Sequence, residues 1–206
     1  MQYLKNYLNK IIARGNEKLA ESISKTAEDI GRNYINTFSF ASHEIGLLFG
    51  NVQSGKTGHM FGILCKATDL GFPAFLILTT DNVVLQEQTL DRVKADLDGF
   101  CICGEDDSGI FIDNSLIQPV IVILKKNSRI LRKWANIFNT TGFMKGNPLF
   151  IIDDEADAAS LNTFINRNGK QQSSINKYLD SIKNGATSSL YLQVTGTPQA
   201  ILLQTL

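Results

Sequence analysis

The chain is short of the features that would place it in several common classes. It has three cysteines, Cys65, Cys101 and Cys103, and two histidines, His43 and His59. So sparse and odd a set of thiols, with one C-x-C and no histidine pair nearby, offers no zinc site and fits a reduced, cytoplasmic setting. There is no surplus of charge either, since twenty Lys and Arg stand against twenty Asp and Glu. A global field drawing the molecule to nucleic acid is thereby excluded, and any such contact must come from a local patch. No uninterrupted apolar run reaches the roughly 18 residues that a membrane helix needs. Lys5, Lys10 and Arg14 break the amino-terminal stretch MQYLKNYLNKIIARG, so neither a membrane span nor a signal peptide is expected. The two histidines are isolated and are expected only to pack or to lie at the surface.

What remains is an ordinary globular composition, 43% hydrophobic and 19% charged over 206 residues, enough for one sizeable core. Within it, Gly50 to Thr57 reads GNVQSGKT, a full G-x-x-x-x-G-K-[ST] phosphate loop. Leu47, Leu48 and Phe49 before it form an apolar run, and Met60, Ile63, Leu64 and Ala67 after it recur at helical spacing, so the order is strand, loop, helix. In that setting Gly50, Asn51, Val52, Gln53, Ser54 and Gly55 supply backbone N–H groups to phosphate oxygens at a helix N-terminus. Lys56 reaches the β- and γ-phosphates as a fixed cation, and the Thr57 hydroxyl ligates the accompanying magnesium.

Just under a hundred residues later comes LFIIDDEADAAS, an apolar strand delivering Asp153, Asp154, Glu155 and Asp157 at its carboxyl end. That is where ligands bind in open α/β sheets. Asp154 is assigned as an oxygen ligand of octahedral magnesium, and Glu155 as the group that orients and polarises the attacking water. Asp153 is expected to be solvated or to support a ligand from behind, and Asp157 to couple or simply to hydrogen-bond. The two motifs together imply a nucleoside triphosphate with Mg2+.

Elsewhere, residues 1–36 carry helical periodicity twice, through Leu4, Tyr7, Leu8, Ile11 and Ile12 and then Leu19, Ile23, Ala27, Ile30 and Tyr34, and read as an accessory helical extension. Ala74–Thr80, Pro119–Leu124, Leu149–Ile152 and Leu190–Val194 read as strands. Val83–Leu97 and Arg129–Phe138 read as helices, the latter with Ile130, Leu131, Trp134 and Phe138 inside, and Ala156 to about Lys183 as mostly helical around a polar loop. Phe100–Asn114, acidic and glycine-bearing, reads as an exposed hairpin-like excursion. Strands alternating with helices imply a mostly parallel sheet with helices on both faces, residues 37–206 forming one α/β domain.

GNVQSGKT, DEAD at Asp154–Asp157 and TGTP at Thr195–Pro198 resemble, in order and spacing, motifs I, II and III of superfamily-two helicases, all carried by the first of two RecA-like domains. The wording GNVQSGKT, IIDDEADAASLNT and VTGTPQA is similar to bacterial helicase-like proteins that carry an endonuclease-associated Z-one domain and belong to restriction-type or phage-defence systems. The resemblance spans roughly residues 45–206. It implies a RecA-like ATPase using ATP and Mg2+, with Lys56 and Thr57 on nucleotide and metal, Asp154 and Glu155 as the acidic pair, and Thr195 and Thr197 relaying nucleotide state. It also implies a nucleic-acid partner, DNA in restriction systems, and a second RecA-like domain supplying an arginine. Nucleic acid would lie on loops after the strands, with Thr79, Thr80 and Gln86 in one group and Lys125, Lys126 and Asn127 in the next, extended by Arg129, Arg132 and Lys133. A nucleotide-dependent switch acting through protein partners is the competing class. A two-metal nuclease built on DDEAD is disfavoured, because one short acidic run lacks spread ligands.

Overall fold

Apolar runs too short for helices and rich in Val, Ile, Leu and Phe form the strands of a single sheet. The computed structural model describes residues 2–49, 55–115, 117–154, 156 and 174–195. Among these, the sheet holds β1 (His43–Phe49), β2 (Ala74–Thr79), β3 (Cys101–Cys103), β4 (Val120–Lys125), β5 (Pro148–Asp154) and β6 (Ser188–Thr195). The spatial order is β1-β6-β5-β2-β4-β3, and every neighbouring pair is parallel. Helices α1 (Tyr3–Ala13) and α2 (Glu17–Ile30) precede β1, and the crossovers that parallel neighbours require are supplied by α3 (Lys56–Asp69), α4 (Val83–Asp96), α5 (Ser108–Asn114), α6 (Ser128–Thr141) and α7 (Ser174–Gly185).

Side chains alternate along each strand and so feed two separate cores. Phe75, Ile77, Ile121, Ile123, Phe150 and Ile152 face α1, α2, α3 and the Val93 side of α4. Leu76, Leu78, Val122, Leu124, Ile151 and Tyr191 face α5, α6 and α7. The sheet is therefore covered on both sides, as the alternation of apolar strands with helical patterns leads one to expect. Trp134 of α6 is fully buried, edge-on to Phe111, and its indole N–H donates to the Glu105 carbonyl at 3.0 Å. Burial with a satisfied donor leaves that ring no face for a nucleobase.

One expectation needs correction. Phe100–Asn114 is no exposed hairpin: Cys101–Cys103 forms β3, parallel to β4, and α5 follows, with Phe111 wholly buried against Trp134, Phe138 and Phe143. Three residues are too few for a period-two pattern to register, and the neighbouring acids masked a buried ring. The N-terminal helices pack against the core, as their periodicity implies. Tyr7, Ile11, Ile23 and Ala27 belong to the core beneath α3, and α2 runs on through a π-helical turn at Gly31–Ile35. Polar ties reinforce the packing. The Asp69 carboxylate accepts from the free N–H groups of Tyr3 and Leu4 at 2.8 and 3.1 Å, capping α1 from the end of α3, and the Tyr7 hydroxyl donates to the Gly58 carbonyl at 3.2 Å.

The α2–α3 contact is closest at Gly62, where an added Cβ would stand 2.4 Å from Ile23 Cγ2. Ile23 is itself fully buried and, being β-branched, cannot swing away. Gly62→Ala is accordingly expected to destabilise the fold by about 1–3 kcal/mol despite alanine's better helix propensity. Denaturant midpoints would check this, and Ile23→Ala in the same chain should recover part of the loss if the clash is its cause.

Candidate active site

The carboxyl ends of β2, β5 and β6 and the N-terminus of α3 meet at one edge of the sheet. β5 ends on Asp154 and β2 on Thr79, with Thr80 next. Asn82 then caps α4, its side-chain oxygen accepting from the Val84 and Leu85 N–H groups at 2.9 and 3.3 Å. At the start of α3, Gly55 has φ +91°, a left-handed conformation that a residue with a Cβ adopts only under strain. An added Cβ would also come within 3.2 Å of Leu19 Cδ1. The glycine therefore lets the chain turn into α3 so that Lys56 and Thr57 open the helix.

Thr57 and Asp154 line one cleft of about 180 Å³ with Thr79, Thr80, Leu85, Gln88, Thr89 and Arg92. Both are half-buried. A hydroxyl, a carboxylate and the positive end of a helix around one space suit a hydrated divalent cation bridging to an anionic group, because magnesium takes only one or two protein carboxylates and completes its shell with water and phosphate. The donor set thus fits Mg2+ with a polyphosphate. Among the described residues no group of three or more His, Cys, Asp or Glu could hold a metal ion.

The strand order explains how motifs far apart in sequence converge. β6 lies between β1, which leads to the phosphate loop, and β5, which ends on the acids. Thr195 closes β6, fully buried and in register with Phe49, while Val194 is in register with Asp154. Lys56 is half-buried in the first turn of α3. Gly50, Asn51, Val52, Gln53, Ser54, Glu155, Asp157 and Thr197 lie outside the described residues.

Below the cleft, the Asp153 carboxylate is wholly buried and held from both sides. Lys126 Nζ donates to its Oδ1 at 2.8 Å and to the Asp154 carbonyl at 3.0 Å, and the Tyr191 hydroxyl donates to its Oδ2 at 2.5 Å. Burial, and then the adjacent Asp153 charge, push the Tyr191 phenol well above its ordinary range, so it keeps the proton it donates. Asp153 is thus not a solvated acid. Lys126, expected on the surface as a nucleic-acid contact, has no exposed side-chain area, and its cation is committed to the interior.

The other nucleic-acid candidates divide. Gln86 and Thr79 are buried, and Thr79 and Thr80 line the cleft with Asp154, so none of the three stands out on a free loop as expected. Lys125 is mostly covered and lies 3.5 Å from Glu105, while Asn127 caps α6 by accepting from the Arg129 N–H and also donates to Asp81 at 3.1 Å. What is exposed lies further along α6, where Ser128, Arg129, Arg132, Lys133 and Asn136 flank a broad groove closed by Ser174 and Tyr178 of α7.

Sequence reading also missed cleft residues. Leu85, Gln88, Thr89 and Arg92 stand at i, i+3, i+4 and i+7 of α4, one helical face that is polar but for its first member. The Arg92 guanidinium sits over the Phe61 ring, 5.8 Å from its centroid. A polar stripe at that spacing, in a helix directly after a strand end, was the available signal.

No protein-family model matches the chain, and no curated protein matches it. Solved structures do. The chain is similar to the helicase domain of Hef from Pyrococcus furiosus, with a TM-score of 0.52 and 15% identity over 85% of this chain and 34% of that one. It is equally similar to a nuclease-deletion mutant of the Type ISP restriction-modification enzyme LlaGI, solved with a DNA substrate mimic, at a TM-score of 0.52 and 15% identity over 84% of this chain and 17% of that one. The chain thus spans about a third and about a sixth of these two proteins. At such identity the likeness is one of fold, an α/β fold of the RecA-like kind with a parallel six-stranded sheet among the described residues, helices on both faces and added N-terminal helices.

Proposed function

We propose that this chain is the first RecA-like domain of a superfamily-two helicase- or translocase-like motor, which binds ATP with Mg2+ and works on nucleic acid, DNA in a restriction or phage-defence system. Residues 37–206 form the motor domain, with 1–36 as an extension. The observation that carries this reading is the shared cleft of Thr57 and Asp154, each at the end of a sequence motif whose chemistry calls for the other. Lys56 and the backbone of Gly50 to Gly55 hold the phosphates. Thr57 and Asp154 hold the metal, Glu155 aligns water, and Asp157, Thr195 and Thr197 transmit the loss of the γ-phosphate. Bound magnesium would neutralise the charge developing on the transferred phosphoryl group.

Three of the proposed nucleic-acid contacts move. With Thr79, Gln86 and Lys126 buried, the phosphate backbone is better served by the exposed Arg129, Arg132 and Lys133 beside Asn127. Contacts of that kind carry affinity without sequence information and weaken steeply with salt.

A second RecA-like domain is needed to close the cleft and bring an arginine to the transition state, a contribution of about 10³-fold or more in rate. The 206-residue chain is therefore expected to bind ATP and ADP in the presence of magnesium, to turn ATP over slowly if at all, and not to unwind duplexes. Calorimetric titration with Mg·ADP and a phosphate-release assay with and without DNA measure this. Vigorous DNA-stimulated hydrolysis by this chain alone would refute the two-domain reading, and no Mg-dependent nucleotide binding would refute the site.

A further inference from the structure

The Asp153–Lys126–Tyr191 cluster lies directly under the acidic end of β5, yet it has no part in the proposed chemistry. Its cost raises the question of its use. A buried ion pair often stabilises a fold no better than apolar residues of the same volume, so burying Lys126 and Asp153 here does not explain itself as stability. Its geometry supplies another reason. Successive strand residues point to opposite faces, so Asp153 turns toward Tyr191 and the α5–α7 side while Asp154 turns into the cleft. Lys126 grips both residues, through the carboxylate of Asp153 and the backbone carbonyl of Asp154. Tyr191 holds the remaining carboxylate oxygen of Asp153. With the residue before it clamped at both oxygens and its own peptide carbonyl fixed, Asp154 has little freedom in the direction of its side chain.

We propose that Lys126 and Tyr191 are positioning residues that aim Asp154 at the metal, an inference that rests on the nucleotide reading above. Lys126 also ties this aim to the loop between β4 and α6. Its own N–H donates to the Thr79 carbonyl at 2.9 Å, and the next residue, Asn127, donates to Asp81, so the ends of β2, β4 and β5 are joined through one short segment. A displacement of that loop, which leads into the exposed cations of α6, would be felt at the Asp154 carbonyl. Groups that support a metal ligand from behind change metal affinity by about 10–100-fold when removed.

The test is a magnesium titration of the 206-residue chain with a fluorescent ATP analogue, repeated without metal in EDTA, on the parent chain and on Tyr191→Phe, Lys126→Met and Lys126→Arg. Tyr191→Phe and Lys126→Met should raise the magnesium concentration for half-maximal effect by about 10–100-fold, with binding in EDTA changed less than about twofold. Lys126→Arg, which keeps a cation, should recover part of the magnesium response. A role confined to stability would instead shift the melting temperature and leave the magnesium midpoint where it was. If Lys126→Met fails to fold, Tyr191→Phe decides the matter, since it deletes one oxygen and keeps the buried ring. A folded Tyr191→Phe chain with the parent's magnesium midpoint overturns the positioning role alone. A parent chain indifferent to magnesium overturns the nucleotide reading and this inference with it.

Discussion

Lys126→Met is expected to lower the stability of the chain by about 3–5 kcal/mol, because it leaves the fully buried Asp153 carboxylate without its cation. For a domain of this size that corresponds to a fall of roughly 6–20 °C in melting temperature. The loss comes from the orphaned anion and not from the missing attraction alone, a difference that further variants expose. Replacing Asp153 by leucine and Tyr191 by phenylalanine in the same chain removes the anion and the donor that would otherwise be stranded. Most of the stability should then return, since apolar residues of similar volume commonly match or exceed a buried ion pair. Chemical denaturation of the single and triple variants measures both. A single variant within about 1 kcal/mol of the parent would show that water reaches Asp153, and the cluster would lose its interior character.

The second large effect concerns Lys56. Lys56→Ala should weaken binding of Mg·ATP by the 206-residue chain by roughly 10–100-fold, the equivalent of one charge-assisted hydrogen bond of about 1.5–3 kcal/mol. In the whole motor the same change should reduce hydrolysis by about 10³-fold, because the lysine's charge counts most as negative charge spreads over the γ-phosphoryl oxygens. The fold should be untouched, as Lys56 is half-buried in the first turn of α3 and does not belong to the core. Calorimetry and steady-state phosphate release check the two halves separately. Unchanged affinity together with unchanged turnover would remove the phosphate loop from the reaction.

How far the sequence foretold these arrangements depended on whether the responsible interactions were local. The parallel sheet was legible because β2, β4 and β5 are buried on both faces and read as unbroken apolar runs, and the helices between them forced crossovers. The turn into α3 was legible because its residues stand side by side, Gly55 with a left-handed φ followed by Lys56 opening the helix. Lys126 was misread for the opposite reason. K-K-N at the head of a basic helix looks solvated, and its partners stand 27 and 28 residues further along, with Tyr191 reaching the same carboxylate from 38 residues beyond Asp153. Nothing near Lys126 announces that pairing. β3 escaped notice through brevity, and Gln86 because a polar side chain facing inward on a helix cannot be told from one facing out without the neighbouring strand.

The seating of Ile23 against Gly58 and Gly62 ties the first thirty-six residues to the helix that begins with Lys56. Heat should consequently melt the amino-terminal pair and the α3 layer in one cooperative step, with no early shoulder from a detachable arm. Trimming that pair away would uncover Phe61, which Tyr7 meets edge-on, together with the Gly58–Gly62 face of α3, and turn a folded layer into a sticky surface.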